Sequence, residues 1–227
     1  MAWDMGQKAD GSDSMARVVA EREHWPEMRA LVVVASAAKK GVSSTTGMQA
    51  TVATSQLFEH RAKTVVPEAM AAMEKAIQEK DFEAFGKVSM RDSNSFHACC
   101  MDTTPPIFYM NDTSRAAVRA VDALNEKAGR IVAAYTFDAG PNAVVYHLEK
   151  DEELVVGAFK AILQDKSGWE GANAQSIKPM AGVIPFDERT VQLLKEGVSG
   201  IILTSIGDGP RSVDTHLVSE SGEALKA

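Results

Sequence analysis

Cysteine is almost missing from this 227-residue chain, and the two present are neighbours, Cys99 and Cys100. A bond between adjacent residues is strained, so they cannot join distant parts of a fold, and a reducing compartment is expected. They read as two small thiols buried on a helix, not as a redox or metal pair. Long apolar runs are missing too. Leu31-Val32-Val33-Val34-Ala35 is far short of the roughly 20 residues that a membrane-spanning helix needs. Met1-Ala2-Trp3-Asp4 has neither the charged nor the apolar region of a secretory signal, so a soluble, cytoplasmic protein is expected. Positive charge is scarce and never blocked: the net charge is −7 with both signs interspersed, without the basic stripe of a nucleic-acid binder. His24, His60, His147 and His216 are scattered, with no metal-ligand spacing. No internal repeat or low-complexity tract is visible.

What is present suits one large domain, since 45% of the residues are hydrophobic and can bury an ordinary core. Residues 28–36, rich in Val and Leu, predict a buried strand. Residues 41–47 read as a polar loop, and a helical region follows from about Ser55, with Pro67 in the first turn of a new helix. Met70, Met73 and Ile77 recur at helical spacing, which points to core packing and not to a cofactor site. Another helix starts near Asp81 and is stopped by Pro105-Pro106; Thr113 or Ser114 caps the next, with Val118, Val121 and Leu124 inward. Residues 131–138 and 142–148 predict a hairpin-like strand pair, 151–163 an amphipathic helix and 201–206 a last strand. Residues 164–185, polar and irregular, predict a mobile surface excursion, and the tail beyond the last strand is expected to be loosely held. The pattern predicts an α+β fold, an antiparallel sheet with helices packed on one face.

The most informative segment is Tyr135-Thr136-Phe137-Asp138-Ala139-Gly140-Pro141-Asn142-Ala143. Alternation puts Ile131, Ala133, Tyr135 and Phe137 on the core face and Val132, Ala134, Thr136 and Asp138 on the other. Asp138 then shares its face with small residues and reaches a tight Gly/Pro turn. A carboxylate there suits a general base, but the residue types fit equally an ordinary turn aspartate that accepts backbone hydrogen bonds.

That segment resembles the signature of mevalonate diphosphate decarboxylases. So do Val42-Ser43-Ser44-Thr45-Thr46-Gly47-Met48-Gln49, Asp92-Ser93-Asn94-Ser95-Phe96-His97-Ala98 and Pro105-Pro106-Ile107-Phe108-Tyr109-Met110-Asn111-Asp112-Thr113-Ser114. The likeness runs from Ala2 to about Pro210, in the order of the fungal-type family members. Several long segments in order are far more specific than one short motif. The resemblance implies the C-terminal, ferredoxin-like domain of the GHMP kinase superfamily. It also implies a cytoplasmic homodimer that uses ATP and Mg2+ to convert mevalonate 5-diphosphate to isopentenyl diphosphate, ADP, phosphate and CO2 in isoprenoid and sterol biosynthesis. By the same resemblance Asp138 is catalytic, Ser44 and Thr45 contact the substrate diphosphate, and Met48 lines the pocket. Asn94 or His97 could support the pocket from a helix, or simply pack there.

The family's Tyr-Trp-Gly-Lys segment, its Ser/Gly-rich ATP loop and its substrate-gripping arginine have no counterpart here, and residues 41–47 lack the Gly-Lys-Ser/Thr of a P-loop. The resemblance therefore implies three parts. Residues 1–27 are a remnant of the junction with a missing N-terminal ATP-binding domain, 28–210 the substrate-side domain, and 211–227 a tail. On that division the chain alone is expected to be inactive, with ATP and Mg2+ held mainly by the missing half. The other reading is a catalytically silent module that binds a partner or an anionic metabolite.

Overall fold

A computed structural model describes residues 1–35, 42–209, 212, 218–219 and 221–223. Its main sheet has four antiparallel strands: β3 (Met28–Ala35), β4 (Ala133–Thr136), β5 (Ala143–Leu148) and β6 (Val198–Ser205), in the order β4-β5-β3-β6. A separate hairpin joins β1 (Ala2–Asp4) to β2 (Met15–Arg17). Register places Leu31 opposite both Val145 and Leu203, and Val145 opposite Tyr135. One face of the sheet thus carries a row of large apolar side chains across all four strands.

Helices follow the 3.6-residue spacing of their apolar positions. They are α1 (Ser44–Thr54), α2 (Gln56–His60), α3 (Val66–Glu79), α4 (Phe82–Asp102), α5 (Asp112–Ala128), α6 (Glu152–Leu163), α7 (Ala172–Ser176) and α8 (Glu188–Gly197). Val121 and Leu124 of α5, Val155 and Phe159 of α6 and Leu194 of α8 are fully buried with Leu31, Val33 and Val145 of the sheet. Each such side chain contributes about 1.5–3 kcal/mol by leaving water. The expected α+β class is what forms, with α5, α6 and α8 in the core on one face. The other face is covered over β4 and β5, where Phe85 stands edge-on to Trp25 (6.0 Å) and Tyr146 (5.3 Å). Val32 and Val144 there are half-buried and Ile202 is exposed. Among the described residues no helix is long and apolar enough to cross a membrane.

Several local expectations are corrected. Residues 42–47 are not all loop: Ser43 Oγ accepts the Thr46 N–H at 3.1 Å and caps α1, which starts at Ser44. Ser and Thr favour loops and helix N-termini for the same reason, a side-chain oxygen that competes for backbone N–H groups. Ser55 is the break between α1 and α2, and a π-helical turn (Arg61–Val65) leads into α3 with Pro67 in its first turn. Asn111, not Thr113 or Ser114, caps α5, and Ser114 completes a reciprocal capping box with it. β4 is shorter than expected because Asn125 takes up the backbone before it, accepting from the Val132 and Ala133 N–H groups. Met70, Met73 and Ile77 are only half-buried; they line an open groove with Met1 and Trp3 instead of entering the closed core.

Residues 164–185 are no loose excursion. Trp169, Ala174, Ile177 and Ile184 enter the main core, and Trp169 Nε1 donates to the Leu163 carbonyl at 2.8 Å. Lys160 Nζ binds the Ala174 and Ile177 carbonyls (2.6 and 2.8 Å) and lies 5.5 Å from the Trp169 ring centroid. Ile201 N–H donates to the Ser167 carbonyl at 2.9 Å, attaching the segment to the β6 edge. Cys99 and Cys100 are buried, unpaired thiols on α4 as expected, and burial pushes both thiols up. Most of the tail, including His216, lies outside the described residues.

Candidate active site

Three separate elements hold the turn that presents Asp138. From α4, Ser93 Oγ accepts the Phe137 N–H at 3.1 Å; from α5, Ser114 Oγ donates to the Pro141 carbonyl at 2.8 Å. At the end of β3, the Ala35 N–H donates to Asn142 Oδ1 at 3.0 Å, while Gly140 N–H closes onto the Asp138 carbonyl at 2.8 Å. The backbone on both sides of Asp138 is therefore fixed. Its side chain is exposed, and among the described residues its carboxylate accepts no hydrogen bond and makes no ion pair. The turn is stabilised by other groups, so the Asx-type arrangement left open by the sequence does not form. Asp138 lies just beyond β4, one residue after the buried Phe137.

Helix α4 backs this turn. Asn94 Nδ2 donates to the Tyr135 hydroxyl at 3.0 Å, so its amide braces β4 and does not face open space. His97 is 8% exposed, with its ring centroid 6.2 Å from that of Phe137 and 5.0 Å from that of Phe96. Burial holds its imidazole below the usual histidine value, a tendency opposed by the Phe137 backbone and the Asp138 carboxylate. A depressed value means that the unfolded chain binds the extra proton first as pH falls. His97 therefore contributes stability that is present above its ordinary value of 6.5 and is lost as pH drops through the lower folded value. Denaturant melts between about pH 7 and 5 should show this loss, and His97→Phe should flatten that part of the profile. An unchanged slope in His97→Phe would mean that His97 has no such linkage.

Beside the turn lies an apolar cavity of about 290 Å³. Ser44, Met48, Phe96, Tyr109, Arg61 and Ala139 are among the residues around it, so α1 and the Asp138 turn share one site. Gly47 permits this closeness: a Cβ there would stand 2.0 Å from the Tyr109 hydroxyl, which donates to the Ser43 carbonyl at 3.3 Å. Thr45 is exposed in the first turn of α1 but does not line the cavity. The Ser44 and Thr45 N–H groups have no acceptor inside the helix, and the helix dipole favours an anion at that end.

Arg61 was not legible as a site residue, because an isolated arginine in a helical stretch carries no motif. It brings a guanidinium to the cavity wall. Its Nη1 is 2.8 Å from Asp92 Oδ1, yet buried off the hydrogen-bonding direction, so the contact is electrostatic and not a good hydrogen bond. The described residues do not fit a nucleotide site. No group of three His, Cys, Asp or Glu is placed to hold a metal, and the cation on the cavity wall, Arg61, already faces a carboxylate.

Comparison with known proteins was made on this geometry. The family model described as mevalonate 5-diphosphate decarboxylase C-terminal domain matches residues 30–213. A diphosphomevalonate decarboxylase of Aspergillus fumigatus is 58% identical over 230 residues, covering 99% of this chain and 57% of the relative. That of Gibberella zeae is 59% identical over 217 residues, 96% of this chain and 56% of the relative. A solved mevalonate 5-diphosphate decarboxylase superposes with a TM-score of 0.86 at 43% identity, covering 98% of this chain and 58% of its own. The Trypanosoma brucei mevalonate diphosphate decarboxylase superposes with a TM-score of 0.78 at 30% identity, over 91% of this chain and 56% of its own. The chain thus spans a little over half the length of the relatives it matches.

Proposed function

The chain belongs to the mevalonate 5-diphosphate decarboxylase family through its C-terminal domain, and from that premise we propose that it forms the substrate-side half of an ATP-dependent decarboxylase. The reaction converts mevalonate 5-diphosphate to isopentenyl diphosphate, with ADP, phosphate and CO2 as the other products. The observation that carries this reading is the Asp138 carboxylate, unpartnered at the end of a turn anchored by α4, α5 and β3.

A tertiary alcohol is a poor leaving group. MgATP supplies the phosphoryl group that makes the substrate 3-hydroxyl a good one, and that nucleotide belongs mainly to a portion outside this chain. Asp138 accepts or orients the hydroxyl proton, for which a fixed backbone and a free carboxylate are what general-base chemistry requires. The first turn of α1, with the Ser44 and Thr45 hydroxyl and N–H groups, faces the diphosphate; Met48 walls the same cavity as Ser44. Residues 1–27 belong to the junction with the nucleotide-binding portion, and assembly as a cytoplasmic homodimer is part of the same proposal.

The test is CO2 release from mevalonate 5-diphosphate and MgATP. The 227-residue chain alone is expected to show none, whereas fusion to the preceding portion of the Aspergillus fumigatus relative should restore turnover. Activity of the isolated chain would refute its dependence on that portion. A folded but inactive fusion would refute the decarboxylase reading.

A further inference from the structure

We propose that His97 is the positioning residue of Asp138: from α4 it reserves its Nε2 for the Asp138 carboxylate when that side chain turns inward beside the cavity. Its functional meaning rests on the decarboxylase reading, but the interaction itself needs no substrate. Ser93 and His97 are four residues apart on α4 and so lie on one face of the helix. Ser93 holds the Phe137 N–H, and the His97 ring stands edge-on to the Phe137 ring at an interplanar angle of 80°. Both side chains therefore address the residue immediately before Asp138.

The ring is enclosed, yet Nε2 is buried and has no hydrogen-bond partner among the described residues. An orphaned buried ring nitrogen is unfavourable, and such a group calls for a partner in some state of the protein. The groups around it narrow the choice. Asn94 is engaged with Tyr135, and Arg61 faces Asp92. Cys99 and Cys100, on the same helix, are thiols that burial keeps protonated. Asp138 supplies the charge that acts on the ring, and it is the unpartnered acceptor. A change of side-chain rotamer brings an exposed aspartate from solvent to an adjacent donor without moving the anchored backbone. An imidazole N–H donated to the carboxylate would fix its direction and favour its ionised form.

The test is an NMR titration of the 227-residue chain, following the Asp138 carboxyl carbon and the His97 ring nitrogens. In His97→Phe the Asp138 midpoint should rise by about 0.5–1 unit, and His97→Gln, which restores an N–H donor, should return it toward the wild-type value. If His97→Phe fails to fold, Asp138→Asn provides the second measurement. This exposed substitution removes the charge that favours protonated His97, so the His97 midpoint should fall further. An Asp138 midpoint unmoved in folded His97→Phe, or a His97 midpoint unmoved in Asp138→Asn, would overturn the proposal. His97 would then be only a packing residue. Because no turnover is read, failure here would leave the decarboxylase reading standing, and an inactive fusion would leave this pairing standing.

Discussion

Asp138→Asn, made in the active fused protein, should lower turnover by about 10²- to 10⁴-fold, the range typical for loss of a proton-transferring group. KM should change little, because the substitution removes a charge and a basic oxygen while preserving shape. The structure makes this a clean experiment. The turn is held by Ser93, Ser114 and Ala35 through backbone atoms of Phe137 and Pro141 and the side chain of Asn142, none of which is altered. The Asp138 carboxylate itself has no hydrogen bond to lose among the described residues, so the melting temperature should stay put. Turnover within a few-fold of wild type would remove Asp138 from the chemistry. A large fall in stability would show that its side chain supports the turn after all.

The second large effect is on stability and lies far from Asp138. Gly168→Ala should destabilise the chain by about 2–5 kcal/mol, combining backbone strain with overpacking. Gly168 has φ +104°, a conformation that L side chains rarely adopt, and a Cβ there would stand 1.9 Å from the Ile201 carbonyl oxygen. Backbone cannot step aside as a side-chain tip can. The substitution must push Ser167 away from β6 and break the 2.9 Å bond from the Ile201 N–H to its carbonyl. For a chain of this length each kcal/mol shifts the melting temperature by about 2–4 °C, so the change is easily measured by calorimetry. Gly171→Ala, where an added Cβ meets nothing within 4 Å, is the matched control and should stay within about 0.5 kcal/mol of wild type. Equal, small effects at the two positions would mean that residues 164–185 are not tied to the sheet as described.

The contrast between those two glycines shows where sequence reasoning works and where it stops. Strand β3 was legible because Val and Leu fill it, and α6 because Leu154, Val155, Phe159 and Ile162 recur at helical spacing. Those signals are periodic, and periodicity is local. In residues 164–185 the buried Trp169, Ala174, Ile177 and Ile184 follow no period. Each is buried by a different long-range neighbour, and local polarity hid them. α8 and the β1–β2 hairpin went unassigned, being short and mostly polar. The start of α1 was misread because Ser and Thr serve loops and helix caps with the same oxygen.

The candidate site divides in the same way. By itself the sequence determined the chemistry on offer: a carboxylate beside a Gly/Pro turn, a Ser/Thr-rich segment, and motifs in the order of one family. Only the tertiary structure decided that the carboxylate is free. That outcome depends on Ser93, Ser114 and Ala35 arriving from α4, α5 and β3 to bind the turn around Asp138. It also placed Arg61 and Met48 on one cavity with Ala139, and left a buried nitrogen of His97 without a partner beside Asp138. The physical reason is that residue type sets what a side chain can bond, whereas whether it is already bonded is set by groups brought from elsewhere in the chain.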